Sequence, residues 1–251
     1  MIFINKKIGE TPLQLIDRIR VEQPQFKNEK MSYAGRLDPM AEGQMLILVG
    51  DENQNRDKYM GFDKEYVATF LIGVSTDTGD ILGITNSTEL LDTKIDEQIL
   101  KQEIIKLTGI KTQKYPWFSG KTVFGIKLFD HFRRGNTDIE RPTQIVDIKK
   151  VELIEIKSNS TAEIKDYIYK SIGSVSGDFR QEEILAKWES FFQIAEKNPT
   201  PINSFSIKIT VSSGTFIRAL TENFSFPTVL LKLNRTKIFT NFSIAKTIKK
   251  C

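Results

Sequence analysis

The stretch SYAGRLDPMAEGQMLILVG, residues 32–50, sets how the rest of the chain is read. Its second half, MLILVG, predicts a strand that is apolar on both faces and therefore fully buried. Ahead of it a loop carries Asp38, flanked by Gly35 and Gly43, which let the backbone turn tightly and a ligand come close. Pro39 holds Asp38 in an extended conformation. The buried strand fixes the loop in place, and rigid mounting is what a reacting carboxylate needs. Aspartate before proline is also ordinary turn chemistry. The stretch therefore leaves two readings, a nucleophile on a rigid strand end or a turn residue.

Working towards the N-terminus, IFIN is a short strand, Gly9 a turn, and TPLQ a helix start. Thr11 is the N-cap, Pro12 takes N1 and Gln14 closes a capping box, with Leu13, Ile16 and Ile19 at helical spacing. Working towards the C-terminus, KEYVATFLIG (64–73) predicts a strand and STDTGDILG (75–83) a turn-rich loop. DEQILKQEIIKLTG (96–109) predicts a helix with Ile99, Glu103, Ile104 and Leu107 on one face, ended by Gly109. IKLFDHFRRG (126–135) is a shorter helix stopped by Gly135, and residues 142–157 are one long or two short strands. Residues 158–202 read as an insertion, with an irregular start (158–178) followed by the amphipathic helix RQEEILAKWESFFQIAEKN. SFSIKITV (204–211) resumes strand alternation, and SSGTFIRALTENF (212–224) turns from strand into helix with Thr215 as a cap. Strands dominate without regular βαβ alternation, which predicts an α+β fold around a mixed, mainly antiparallel sheet flanked by helices and loops.

The composition is that of an ordinary globular protein: 251 residues, 39% hydrophobic and 27% charged, with a net charge of +4. No apolar run is long enough to span a bilayer, and MIFINKK lacks a signal-peptide pattern, so a cytoplasmic location is expected. Cys251 is the single cysteine, which excludes an internal disulfide and a cysteine-clustered metal site. His131, also single, reads as a helix-face residue. STDTGD lacks the length and closing glutamate of an EF-hand, and neither a Walker loop nor GxGxxG is present, so no nucleotide cofactor is expected. Bases gather around aromatics: Lys111, Lys114, Lys121 and Lys127 surround YPWF (115–118), Arg133 and Arg134 follow, Arg235 and Lys237 lie in LNRTK, and Lys246, Lys249 and Lys250 come last. That mixture suits unstacked nucleotides, with rings for bases and cations for phosphates, although a solvated helix face gives similar counts.

Arg218 follows Gly214 beside Ile217 and Leu220. An arginine among such neighbours calls for a carboxylate partner. If that partner is Asp38, the pair keeps the acid ionised and oriented; otherwise Arg218 is a surface residue at a helix start. Tyr66, on a strand, is equally at home as core filler.

Taken in order, several segments resemble the tRNA pseudouridine synthase B family. INKKIGETPLQL is similar to its opening lysine motif, YAGRLDPMAEGQMLILVG to its catalytic motif, and DKEYVATFLIGVSTDTGDILG to the motif after it. YPWFSGKTVFGIKLFDHFRRG resembles its proline-aromatic-serine stretch, SSGTFIRAL its GTYIR motif, and LKLNRTKIFTNF its LRRT-x-IG-x-F ending. The resemblance implies a single pseudouridine synthase domain over residues 1–251, with the insertion at 158–202. Only nine residues follow Phe242, so the C-terminal RNA-binding (PUA) domain of many members is expected to be absent. It implies conversion of a uridine in the tRNA T loop, position 55, to pseudouridine by base flipping and attack of an aspartate, by a monomer with neither metal nor cofactor. Asp38 falls at the nucleophile, Tyr66 at the active-site tyrosine and Arg218 at the arginine that pairs with the aspartate. Lys6, Tyr33, Arg36, Lys121, Arg134, Leu233 and Arg235 are implied RNA contacts, Leu233 packing beside the flipped base. Tyr33 departs from the family's usual histidine, and Lys7 from its proline. Two other classes stand beside this one: an inactive tRNA-binding protein of the same fold, and a glycosidase-like hydrolase pairing Asp38 with Glu42. Whether Asp38 attacks base or ribose, and what residues 158–202 do, is open at this level.

Overall fold

In the computed structural model, which describes residues 1–86, 96–177, 179–197 and 201–240, one large sheet carries the chain. In chain order the elements are β1 (Ile2–Lys6), α1 (Pro12–Glu22), β2 (Met31–Ala34), β3 (Glu42–Val49), α2 (Arg56–Met60), β4 (Lys64–Ile72), α3 (Glu97–Lys106) and β5 (Gly109–Lys114). A small hairpin, β6 (Thr122–Val123) and β7 (Ile126–Lys127), leads into α4 (Leu128–Arg133). Then come β8 (Thr143–Asn159), α5 (Thr161–Ser174), α6 (Gln181–Lys197), β9 (Ile202–Val211), a 3-10 turn (Ile217–Asn223) and β10 (Thr228–Ile238). The sheet order is β1-β3-β10-β4-β9-β8-β5, with β2 also paired to β3. β3 and β10 run parallel and the other pairs antiparallel, so the expected mixed, mainly antiparallel α+β sheet is present.

The run MLILVG does bury both faces. Met45 and Ile47 join the main core, whereas Leu46 and Leu48 enter a second, smaller cluster with Ala34, Phe62 and Ile238. The main core lies between the sheet and helices α1, α5 and α6, which contribute Leu15, Ile16, Ile19, Ile168, Trp188 and Phe192, all fully or almost fully buried. At 25 cal/mol per Å² of apolar surface, residues of this size stabilise the fold by about 1.5–3 kcal/mol each.

α1 begins with the expected capping box: Gln14 N–H donates to Thr11 Oγ1 and Thr11 N–H to Gln14 Oε1. Its inner face is Leu15, Ile16 and Ile19, while Leu13, expected on that face, is exposed. α3 turns Leu100, Ile104 and Leu107 inward at i, i+4, i+7, leaving Ile99 half exposed. Gly109, expected to end that helix, opens β5 instead with φ 102°. The start of the 158–202 segment is not irregular. Ser160 and Glu163 form a second capping box, and Ile164, Ile168 and Ile172 follow at four-residue spacing, so α5 forms and packs on the core. Thr215 does not cap a helix; its hydroxyl donates to the Ser212 carbonyl, and the 3-10 turn carries no side-chain cap. His131 is buried, with Nε2 3.0 Å from the Val123 carbonyl oxygen of the β6–β7 hairpin. Lys246, Lys249, Lys250 and Cys251 lie outside the described residues. Among the described residues no helix is long and apolar enough to cross a membrane.

Candidate active site

The loop between β2 and β3 is held from below by two buried cations. Lys6, at the end of β1, is 1% exposed and donates to the carbonyls of Lys7 (2.9 Å), Pro39 (3.3 Å) and Ala41 (2.6 Å). Burial pushes its pKa down from 10.5 to about 8, against the attraction of Glu10, Asp38 and Glu42. Arg235 on β10 is equally buried and donates to Gln44 O (2.6 Å) and Arg36 O (3.2 Å). A register shift between Arg235 and Lys237 interrupts the β10–β4 ladder, and such bulges re-aim a side chain. Gly9 N–H adds a bond to Pro39 O at 2.9 Å, and Ala41 N–H closes a turn on Asp38 O at 3.0 Å. Leu37, Met40 and Ala41 bury their side chains around the acid. Gly43 is required at the loop's end. Its φ is 104°, and a Cβ there would come within 2.3 Å of Asn234 Oδ1 and 2.4 Å of Arg235 O on the parallel neighbour β10.

Asp38 alone in that loop turns its carboxylate outward, with 38% of the side chain accessible. Its Oδ2 accepts from Arg218 Nε at 3.0 Å. The Arg218 guanidinium, 4% exposed, uses its other nitrogens on Thr78 O (2.9 Å) and Phe118 O (2.7 Å). It thus ties three segments, the 35–41 loop, the 75–83 loop and the YPWF stretch, through one planar fork. A second carboxylate faces the same guanidinium: Asp80 Oδ2 lies 3.8 Å from Arg218 Nε. Thr78 Oγ1 and Leu82 N–H donate to Asp80 Oδ1 at 2.8 and 3.0 Å. Burial raises the Asp80 pKa from 3.8 to about 6, with Arg218 pulling it back down and Asp38 pushing it up. Asp80 is the site residue that the sequence reading missed. Its signal was present in STDTGD, where a buried-loop acid with its own Thr-x-Asp hydroxyl bond precedes the apolar Ile81-Leu82.

Above this pair opens a cavity of about 270 Å³, close to the lower end of the roughly 300–1,000 Å³ of small-molecule sites. Asp38, Thr78, Asp80 and Arg218 form its polar side, Phe118, Phe129, Phe179 and Leu82 its apolar side, and Arg133 and Arg180 add positive charge. Aromatic and apolar side chains together with carboxylates in one cavity suit a planar ring with polar edges.

The structure distributes the remaining sequence-predicted residues unevenly. Tyr66 is 6% exposed on β4, in register with Arg235 and Ile209, and does not line the cavity. Leu233 is likewise buried, opposite Ala68. Lys6 and Arg235, expected to contact RNA, are instead buried struts that spend donors on backbone carbonyls. Tyr33 has two guanidinium groups near its ring, those of Arg36 at 5.9 Å and Arg56 at 5.8 Å from the ring centroid. Lys121 is exposed with its ammonium 5.0 Å from the Tyr115 ring. Arg134 is exposed just beyond the cavity, whose rim is Arg133. Among the described residues no group of three or more His, Cys, Asp or Glu is placed to hold a metal ion.

The family described as TruB family pseudouridylate synthase (N terminal domain) matches residues 23–173. The chain is 32% identical to tRNA pseudouridine synthase B of Fusobacterium nucleatum over 159 residues, covering 63% of this chain and 53% of that one. It is 30% identical to the protein of the same name from Listeria innocua over 213 residues, covering 83% and 57% respectively. The chain thus spans about half the length of the curated relatives it matches. Among solved structures, the crystal structure of a Cbf5-Nop10-Gar1 complex shares the fold, with a TM-score of 0.56 and 15% identity over 98% of this chain and 52% of that one.

Proposed function

We propose that this chain, which belongs to the TruB family of pseudouridylate synthases, converts a uridine of tRNA to pseudouridine, at the T-loop position 55, with Asp38 as nucleophile. The observation that carries the reading is the accessible Asp38 carboxylate held 3.0 Å from Arg218 inside an aromatic-walled cavity. A uridine stacked in a folded loop must first be flipped out, at a cost of a few kcal/mol, and the phenylalanine walls offer it replacement stacking. Asp38 then attacks, at the uracil ring or at the ribose C1′; the bond it makes is broken again as the C5–C1′ bond forms at C1′, or by elimination from the ring afterwards, so the free carboxylate returns. The N1–C1′ bond breaks, the uracil turns in the cavity, and a C5–C1′ bond forms. C5 loses its proton and N1 gains one, so the product is an isomer and no oxidant or energy source enters the balance. Arg218 keeps Asp38 aimed throughout, and Asp80, 3.8 Å from the same Nε, adds a second negative charge that holds Arg218 in place. Tyr66, buried on β4 and outside the cavity lining, would meet the base and move a proton only once the RNA has entered and the wall has adjusted. Arg36, Lys121, Arg133 and Arg134, all exposed cations, would take the phosphates. A monomer acting in the cytoplasm is part of the same reading.

The test is pseudouridine formation on an unmodified T-arm stem-loop, wild type beside Asp38→Asn. Product from the wild type alone is the expected result. Product from both would reduce Asp38 to a turn residue. RNA binding without product from either would favour an RNA-binding protein that has lost the chemistry.

A further inference from the structure

The helices between β8 and β9 do more than cover the sheet. Trp188 on α6 is fully buried and its Nε1 donates to the carbonyl of Ile81 at 3.1 Å. That carbonyl is in the residue after Asp80, so α6 is bonded to the loop that carries the buried acid. The turn from α5 to α6 then delivers Phe179 and Arg180 to the cavity that holds Asp38. Gln181 organises this turn. Its Oε1 accepts from Phe179 N–H at 2.8 Å, and its Nε2 donates to Gly177 O (2.6 Å) and Val175 O (3.2 Å). Gly177 takes φ 94°, a conformation that side chains with a Cβ rarely adopt, and lies in contact range of the Phe179 ring.

Arg180 has φ 62° and, among the described residues, shares a positive φ outside glycine only with Phe124. Conformations of this kind concentrate at ligand sites, where surrounding contacts hold them. Those contacts are visible: the Arg180 guanidinium sits 4.4 Å from the Phe118 ring centroid and donates to Asp77 Oδ2 at 2.9 Å. Phe118 in turn offers its carbonyl to Arg218. An unbroken series of contacts therefore links the α5–α6 turn to the Asp38–Arg218 pair. Phe179 itself stays 39% exposed, lining the cavity rather than completing the core.

We propose that Phe179 is a substrate-positioning residue whose ring stacks on the flipped pyrimidine while Asp38 engages it, with Arg180 fastening the α5–α6 turn in place. The proposal rests on the uridine-isomerising reading for the identity of the base. It makes residues 158–202 part of the active site, where the sequence left their role open. An exposed ring beside cations is the kind of surface on which unpaired bases stack, and alanine substitution of such rings costs about 5- to 150-fold per base.

The experiment uses the full chain and its Phe179→Ala, Phe179→Leu and Phe179→Tyr variants with a fluorescently labelled, unmodified T-arm stem-loop. Equilibrium affinity by anisotropy, single-turnover pseudouridine formation and thermal melting are measured together. Phe179→Ala is expected to lower affinity or turnover about 10- to 100-fold, the range of lost base stacking. Phe179→Leu, which keeps bulk but not the ring, stays low, and Phe179→Tyr returns to within about threefold of wild type. Melting temperatures unchanged across the series would accompany this result. Leucine equal to wild type, or alanine within about twofold of it, in an active enzyme would overturn the stacking role and leave the isomerase reading intact. Should alanine fail to fold, the leucine and tyrosine variants decide alone. Wild-type binding that depends on the ring at 179, without any product, would overturn the isomerase reading and retain the stacking wall. Neither binding nor product would overturn both.

Discussion

Replacing Asp80 by asparagine separates what the buried acid costs the fold from what it does for the site. Burial raises its pKa from 3.8 to about 6 despite the nearby Arg218. An acid whose pKa is higher in the folded than in the unfolded state binds its proton more tightly when folded. Its contribution to stability is therefore full below the unfolded value and declines as pH rises through the window from 3.8 to about 6. A rise of about two units corresponds to roughly 3 kcal/mol. Asparagine keeps an oxygen for Thr78 Oγ1 and Leu82 N–H but carries no charge to desolvate. Asp80→Asn should consequently be more stable than wild type at pH 8, by up to ~3 kcal/mol, and equal to it near pH 3.5. In a chain of this size that is a rise in Tm of about 6–12 °C. Turnover should move the other way, because Arg218 loses the carboxylate 3.8 Å from its Nε. Wild-type activity should rise as pH increases through about 6, and that limb should vanish in the variant. Melting curves at the two pH values and a rate profile from pH 5 to 8 read both effects. A variant less stable than wild type at pH 8 would refute the reasoning, since attraction to Arg218 would then outweigh burial.

Arg218→Lys keeps the charge but cannot serve Asp38, Thr78 O and Phe118 O at once; about 2–4 kcal/mol of stability and at least a roughly hundredfold drop in single-turnover rate are expected, read by melting and by product formation. Gly43→Ala places a methyl within 2.3 Å of Asn234 Oδ1 at φ 104°, so β10 must shift; a fall in stability of at least about 3 kcal/mol is expected, and an unchanged Tm would contradict the close approach of the two strands. Arg134→Ala should weaken RNA binding across sequences and reduce the slope of log affinity against log salt by about one, whereas a slope identical to wild type would remove Arg134 from the phosphate contacts.

Local signals carried much of this molecule. The capping box of α1, the doubly buried β3 and the amphipathic α6 are written in neighbouring residues, and each forms where its pattern lies. The Asp38–Arg218 pair was one of two readings of an arginine among apolar neighbours, and the family resemblance pointed to it. α5 was obscured by serines and glycines at its ends, although its Ser160–Glu163 box and isoleucine spacing were there to be found. Arg235 read as an RNA-contacting cation among the gathered bases, because a register shift leaves no mark in residue type. Asp80 carried only the faint local signal of its Thr-x-Asp turn, and Phe179 carried none. Each acquires its role from a partner distant in the chain, Arg218 in one case and Phe118 through Arg180 in the other.

The parallel pairing of β3 with β10 has a consequence for how the molecule comes into being. Parallel neighbours far apart in sequence demand the closure of a long loop before any contact rewards it. Arg235, the strut that grips Arg36 and Gln44, belongs to the last strand of the sheet. During synthesis the Asp38 loop is therefore among the first parts to emerge and among the last to be locked. Until β10 docks, the bonds from Lys6 and Gly9 to the carbonyls around Asp38 hold the loop without Arg235, and a premature stop before residue 235 would release a chain that contains Asp38 and Arg218 but lacks this strut beneath the Asp38 loop. The seating of the Asp38 loop therefore waits on the docking of β10, however early the loop itself is made.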